Sequence, residues 1–154
     1  MNIVEKRLDE IRPYENNPRR NDEAVQYVAE SIRQFGWKQP IVIDRDGVII
    51  VGHTRYKAAQ SLGLETVPCM IADDLTPEQV KAYRLADNKV GEIAGWDFER
   101  LEAELEGIDS LNMVDFGFTD TEMEDIDNLF APATKKEKKS KEICCPNCGK
   151  HFVL

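Results

Sequence analysis

The apolar run Val48-Ile49-Ile50-Val51 passes directly into Gly52-His53-Thr54-Arg55, and a helical pattern continues through Ala58 and Ala59. Strand, glycine turn and helix in immediate succession constrain the fold more than any other stretch of the chain. Glycine at such a corner lets backbone amides approach an anion, and the helix N-terminus adds partial positive charge. Arg55 falls on the first helical turn, so the corner suits a phosphate.

The flanking segments read as a mixed α/β domain. Residues 2–8 are expected to form a first strand, and residues 13–20 a loop containing Glu15-Asn16-Asn17-Pro18-Arg19-Arg20. Asn21 is an N-cap candidate for a helix whose apolar stripe is Val25, Val28, Ala29, Ile32 and Phe35, closed by Gly36. Strands 41–43 and 48–51 flank Asp46-Gly47, a hairpin signal. The helix from His53 is expected to end at Gly63. Residues 66–71 form another strand, with Pro68 marking an edge or a strand start. Thr76-Pro77-Glu78-Gln79 combines a capping box with proline at the first helical position, and opens a helix to about Val90.

Beyond Gly95 the pattern is helical and acidic. Phe98, Leu101, Leu105 and Ile108 repeat at helical spacing, and Met123, Ile126, Leu129 and Phe130 do so in a short last helix; such stripes are packing surface. Residues 1–91 carry 13 Lys/Arg against 14 Asp/Glu, residues 92–131 carry 1 against 13, and residues 132–154 carry 6 against 2. The acidic middle would repel a duplex backbone, so the chain does not coat DNA by charge alone. It also has one basic residue, Arg100, where a recognition helix needs several. No sequence-specific DNA binding by this chain alone is expected, and any DNA association would be indirect.

No apolar run approaches the ~18 residues needed to cross a bilayer. The N-terminus lacks the basic-then-apolar layout of a signal peptide, and three of the four cysteines crowd into residues 144–148, unlike a dispersed disulfide set; the expected compartment is the cytoplasm.

Five ordered blocks carry a family resemblance: Asn17-Pro18-Arg19; Ser31-Ile32-Arg33-Gln34-Phe35-Gly36 followed by Gln39-Pro40-Ile41-Val42-Ile43; Gly52-His53-Thr54-Arg55 with Ala58-Ala59; Val67-Pro68; and Ala86-Asp87-Asn88-Lys89. Together they resemble the ParB N-terminal domain of the ParB/sulfiredoxin superfamily, in the variety found in phage and prophage genes, alone or ahead of DNA methyltransferases. Composition marks a basic flexible linker over 132–142 and the cysteine spacing a zinc-knuckle-like tail over 143–154, while the resemblance implies an α+β fold with a mixed sheet and packed helices over residues 1–91, followed by an acidic helical extension over 92–131. It also implies a nucleotide pocket. The block equivalent to Gly52, His53, Thr54 and Arg55 cradles a triphosphate in partition proteins, where the middle pair is Glu-Arg. Arg19 resembles the arginine of the early Pro-Arg block, and Asp87-Asn88 the Glu-Asn block that holds Mg²⁺ beside the phosphates of CTP or ATP. A carboxylate and an amide oxygen suit a hard cation, with water and phosphate completing its shell.

Plainer readings stand beside these. Arg55 could be an ion-pair partner, His53 an exposed helix-start residue, Asp87-Asn88 a polar helix face, and residues 16–20 only a turn. Sulfiredoxins carry a nucleophilic cysteine where His53 stands, so their chemistry is unavailable here; Cys69 reads as an inert core residue. At the C-terminus, Cys145-Pro146-Asn147-Cys148-Gly149 has the form of a zinc knuckle, with Cys144 and His151 as further ligand candidates for Zn²⁺, held within one chain or shared in a homodimer.

Two classes of function follow. One is a Mg²⁺-dependent nucleotide switch or weak NTPase, with Asp87 as the candidate catalytic carboxylate, working with DNA-modification or other DNA-processing proteins. The other is a non-enzymatic adaptor acting through the acidic helices and tail. A small-molecule kinase remains open within the superfamily; a nuclease ranks lower, since no two-metal carboxylate cluster is visible.

Overall fold

The computed structural model describes residues 3–118, and the backbone of 142–144 and 151–153. Its main sheet is built from β1 (Ile3–Arg7), β2 (Ile41–Ile43), β3 (Ile49–Val51) and β4 (Thr66–Ile71) in the order β1-β4-β2-β3. β1 runs antiparallel to β4, β4 parallel to β2, and β2 antiparallel to β3. The helices are α1 (Val25–Phe35), α2 (His53–Ser61), α3 (Pro77–Ile93) and α4 (Phe98–Glu106). The fold is the expected α+β arrangement with a mixed sheet.

Alternation along the short strands sorts the core onto two faces. Ile41, Ile43, Ile49, Val67 and Cys69 join Ile11 and Ala59 of α2 on one face; Val42 and Ile50 meet Val80 of α3 on the other. Ala58 and Ala59 are fully buried. Their small side chains let α2 lie close to the sheet, and α1 packs against α2 in turn. Cys69 is sealed in the first core, and burial pushes its thiol up to about 11. It is the inert residue expected.

Between β2 and β3 the chain turns through residues 44–48. Asp44 Oδ1 accepts the amides of Asp46 at 3.0 Å and Val48 at 2.9 Å, and Gly47 takes φ +75°. Val48 pairs with Arg12 in an isolated parallel bridge, so β3 begins one residue later than its apolar run.

Three local expectations are corrected. Asn21 does not cap α1: residues 22–24 form a turn, the cap position is Ala24, and the Asn21 side chain is engaged elsewhere. Pro68 is not on an edge strand, because β4 lies between β1 and β2. Proline is tolerated there because the ladder with β2 starts only at Cys69, one residue on. α3 runs to Ile93 rather than Val90. The capping box forms as expected, with Thr76 Oγ1 accepting from the Gln79 amide at 3.3 Å and Gln79 Oε1 from the Thr76 amide at 2.8 Å.

After α4, a short 3₁₀ turn, Met113–Phe116, folds back onto α1, where Phe116 stacks on Phe35 at 5.2 Å. Glu142, assigned to the linker by composition, instead opens β5 (Glu142–Cys144), which pairs antiparallel with β6 (His151–Val153). The expected helix over Met123, Ile126, Leu129 and Phe130, the expected linker over residues 132–141, and Cys145 and Cys148 lie outside the described residues. Among the described residues no helix is long and apolar enough to cross a membrane.

Candidate functional site

The strand-to-helix corner forms as the sequence requires. Gly52 adopts φ +106°, a conformation that disfavours any side chain, and a Cβ there would rest on Ile41 at 3.4–3.5 Å. Its carbonyl accepts the Tyr56 amide at 2.9 Å, which starts α2. α3 and α4 are capped by the side chains of Thr76 and Asp97, but no side chain caps α2. Its first-turn amides therefore face whatever occupies the space in front of them.

That space is a cavity of about 240 Å³. Arg19, Gly52, His53, Thr54, Arg55, Asp87 and Asn88 all line it, with Asn17, Asn21, Val28, Ile50 and Val51. Three separate segments thus converge: the loop before α1, the first turn of α2, and the third turn of α3. The zinc candidates lie apart from it in sequence; Cys144 and His151 are register partners between β5 and β6. Among the described residues there is no group of three or more His, Cys, Asp or Glu placed to hold a metal ion.

Each charged group in the cavity wall has defined partners. Arg55 Nη1 donates to the carbonyls of Gln39 at 3.0 Å and Pro40 at 2.7 Å, which ties the entry of β2 to α2 and leaves the other guanidinium N–H groups uncommitted to these carbonyls. Burial draws the Arg55 guanidinium below its ordinary value, and the Asp87 carboxylate opposes the shift. Arg19 Nη1 reaches α3, donating to the Asn88 carbonyl at 3.4 Å and pairing with Glu92 at 3.2 Å. Asn88 Nδ2 donates to the Arg84 carbonyl at 2.7 Å.

His53 is not an exposed helix-start residue. Its Nε2 accepts the backbone N–H of Tyr14 at 3.2 Å, so it anchors the loop that carries Asn17 and Arg19. Desolvation, then the charges of Arg84 and Lys57, hold its pKa below the ordinary 6.5. The folded chain therefore keeps a neutral imidazole where the unfolded chain would take up a proton. Stability supplied by this group is present above about pH 6.5 and is lost as pH falls below it. The denaturant midpoint of the wild type is expected to drop between pH 6.5 and 5, and His53→Gln to flatten that part of the profile; parallel profiles would contradict the assignment.

One site residue, Asn21, and one residue that braces the site, Arg84, escaped the sequence. Asn21 Nδ2 donates to Thr54 Oγ1 at 2.9 Å while its Oδ1 accepts from Lys57 at 2.9 Å, and Lys57 also pairs with Asp22 at 2.6 Å. Its place after the Asn-Pro-Arg block was the only available signal. Arg84 is 9% exposed, and its Nε donates to the Ile49 carbonyl at 3.1 Å. Its guanidinium lies 4.0 Å over the Tyr14 ring, and Asp44 stands 3.7 Å away. It thus joins α3, β3 and the Tyr14 loop one turn from Asp87 and Asn88, and nothing in the local sequence distinguishes it from a solvated helical arginine.

The profile of the ParB N-terminal domain family matches residues 1–89. The ParB-like nuclease domain-containing protein YnaK of Escherichia coli (strain K12) is 44% identical over 80 residues, covering 51% of this chain and 92% of its own length. The chromosome-partitioning protein Spo0J of Thermus thermophilus is 33% identical over 91 residues, which are 56% of this chain but only 34% of Spo0J. The crystal structure of the C-terminally truncated chromosome-partitioning protein ParB from Caulobacter crescentus, complexed with CTP-gamma-S, superimposes with a TM-score of 0.56 at 25% identity, covering 80% of this chain and 69% of that one. This chain spans nearly all of YnaK but about a third of Spo0J.

Proposed function

The chain belongs to the ParB N-terminal domain family, and on that premise we propose that it binds a nucleoside triphosphate with Mg²⁺ in the cavity in front of α2. One observation carries the reading: Asn17, Arg19 and Asn21, residues 52–55, and Asp87 with Asn88, far apart in sequence, line a single cavity facing an uncapped helix N-terminus. The solved relative from Caulobacter crescentus, held with CTP-gamma-S, supports the ligand class.

In this reading the α2 amides take phosphate oxygens, with the free N–H groups of Arg55 on one side and Arg19 on the other. Neutral His53 contributes loop geometry rather than charge. Asp87 and Asn88 fit a Mg²⁺ that is held largely by phosphates, since both line the cavity from adjacent positions and together offer one carboxylate and one amide oxygen. The ion would neutralise phosphate charge, and the chain's own part is to position it. We place this activity in phage or prophage DNA modification, partition or transcription regulation, supported by the likeness of the five sequence blocks. A zinc-binding tail is part of the same proposal, supported by the register that sets Cys144 opposite His151.

Calorimetric titration of each nucleoside triphosphate with Mg²⁺ tests it. Wild-type chain is expected to bind at least one of them, and Arg55→Ala to weaken that binding about 10- to 100-fold, the loss of charge-assisted hydrogen bonds. A thermal melt of the variant separates this loss from release of the Gln39–Pro40 tether. Binding that survives Arg55→Ala unchanged, or no binding at all by the folded chain, would refute the site.

A further inference from the structure

The cavity at α2 is smaller than its proposed ligand needs: about 240 Å³, below the ~300 Å³ at which small-molecule sites begin. A second cavity of about 510 Å³ adjoins it, and Arg19 and Asn88 line both. The second space is otherwise lined by Pro18, Arg20, Leu85, Lys89 and Glu92. Its lining therefore holds three cations and a single carboxylate. That carboxylate is engaged at both ends: one Glu92 oxygen lies 3.2 Å from Arg19 and the other 2.9 Å from Lys89. Lys89 first, and Arg19 more weakly, hold Glu92 below the ordinary carboxylate range.

We propose that the Glu92 carboxylate is a placeholder for the terminal phosphate of a nucleoside triphosphate, which displaces it from Arg19 and extends into the basic annex of Arg20 and Lys89. The inference rests on the reading of the first cavity as a nucleotide site. Both ion pairs involve half-exposed or more exposed side chains. Such pairs are weak, so a multiply charged phosphate replaces a single carboxylate on the same cations at little cost. A nucleoside monophosphate, lacking the terminal phosphate, would not reach the annex and would require no displacement. Glu92 is thus an internal competitor that acts against long phosphate chains and spares short ones.

The test titrates the full chain with CTP, CMP, ATP and AMP in Mg²⁺, as wild type, Glu92→Gln, Lys89→Gln and Glu78→Gln. Glu78 lies in the first turn of the same helix and lines neither cavity, so it controls for the change in net charge. Glu92→Gln is expected to tighten the bound triphosphate about two- to fivefold and leave its monophosphate unchanged. Lys89→Gln should weaken the triphosphate alone, and Glu78→Gln should match wild type. If wild type binds but Glu92→Gln shows no gain over it, or if Lys89→Gln weakens mono- and triphosphate equally, the placeholder role is wrong and the nucleotide site stands. If the folded wild-type chain binds none of the four, both fall.

Discussion

Arg84→Met is expected to lower the free energy of unfolding by about 2–4 kcal/mol, through loss of a charge-assisted hydrogen bond and a desolvated cation–π contact. The Ile49 carbonyl loses its 3.1 Å donor in the buried interior, and the Tyr14 ring loses the guanidinium stacked at 4.0 Å. Asp44 is left in a milder position, because it is partly exposed and still accepts the Asp46 and Val48 amides. Methionine fills the space of the aliphatic stem, so the measured loss reports the guanidinium rather than a cavity. Arg84→Lys should fall between the two, since an ammonium keeps the charge but not the planar fork. Urea denaturation monitored by tryptophan fluorescence reads the effect; a change under 1 kcal/mol for Arg84→Met would show that α3 is held by Val80 and its neighbours alone.

Gly47→Ala should cost at least about 2 kcal/mol, from the left-handed backbone together with a collision that cannot relax. A Cβ at this position would stand 2.5 Å from the Glu10 carbonyl oxygen, a backbone atom with no side-chain freedom to move aside. The same residue accepts the Arg12 amide at 2.9 Å, so moving it apart breaks the bridge that aligns residues 11–12 with β3. Gly63 supplies the control: its φ of +68° is nearly the same, but nothing lies within 4 Å of an added Cβ. Gly63→Ala should show only the conformational part, about 1 kcal/mol. Equal losses at the two positions would mean that crowding at Gly47 is relieved by a shift of the Glu10 segment.

The features legible in sequence are those whose cause is local. Asp46-Gly47 dictates its turn through a glycine φ and an aspartate side chain two residues earlier, and Thr76 and Gln79 form their box within four residues. Gly52 marks the corner because only a residue without a side chain adopts its backbone freely there. What could not be read is what depends on distant partners. Arg84 is anchored by Ile49, Tyr14 and Asp44, 35 to 70 positions away, and His53 by an amide 39 residues earlier. Asn21 looks like a helix cap by type, yet the competing partners Thr54 and Lys57 become available only after folding. Pro68 looks like an edge because the sequence does not reveal that the ladder with β2 begins only at Ile41, opposite Cys69.

The buried side chains of α3 lie in its first half. Val80 and Arg84 are buried, while Leu85, Val90 and Ile93 further along stand 58–74% exposed. Ile93 is nine residues past Arg84, roughly 14 Å along the axis at helical rise. A tilt of about 10° pivoting at Arg84 therefore sweeps the far end through roughly 2 Å by the same geometry. Asp87 and Asn88, which line the cavity, sit between that pivot and the far end, so any displacement of α3 at the cavity would be larger at its exposed apolar tip.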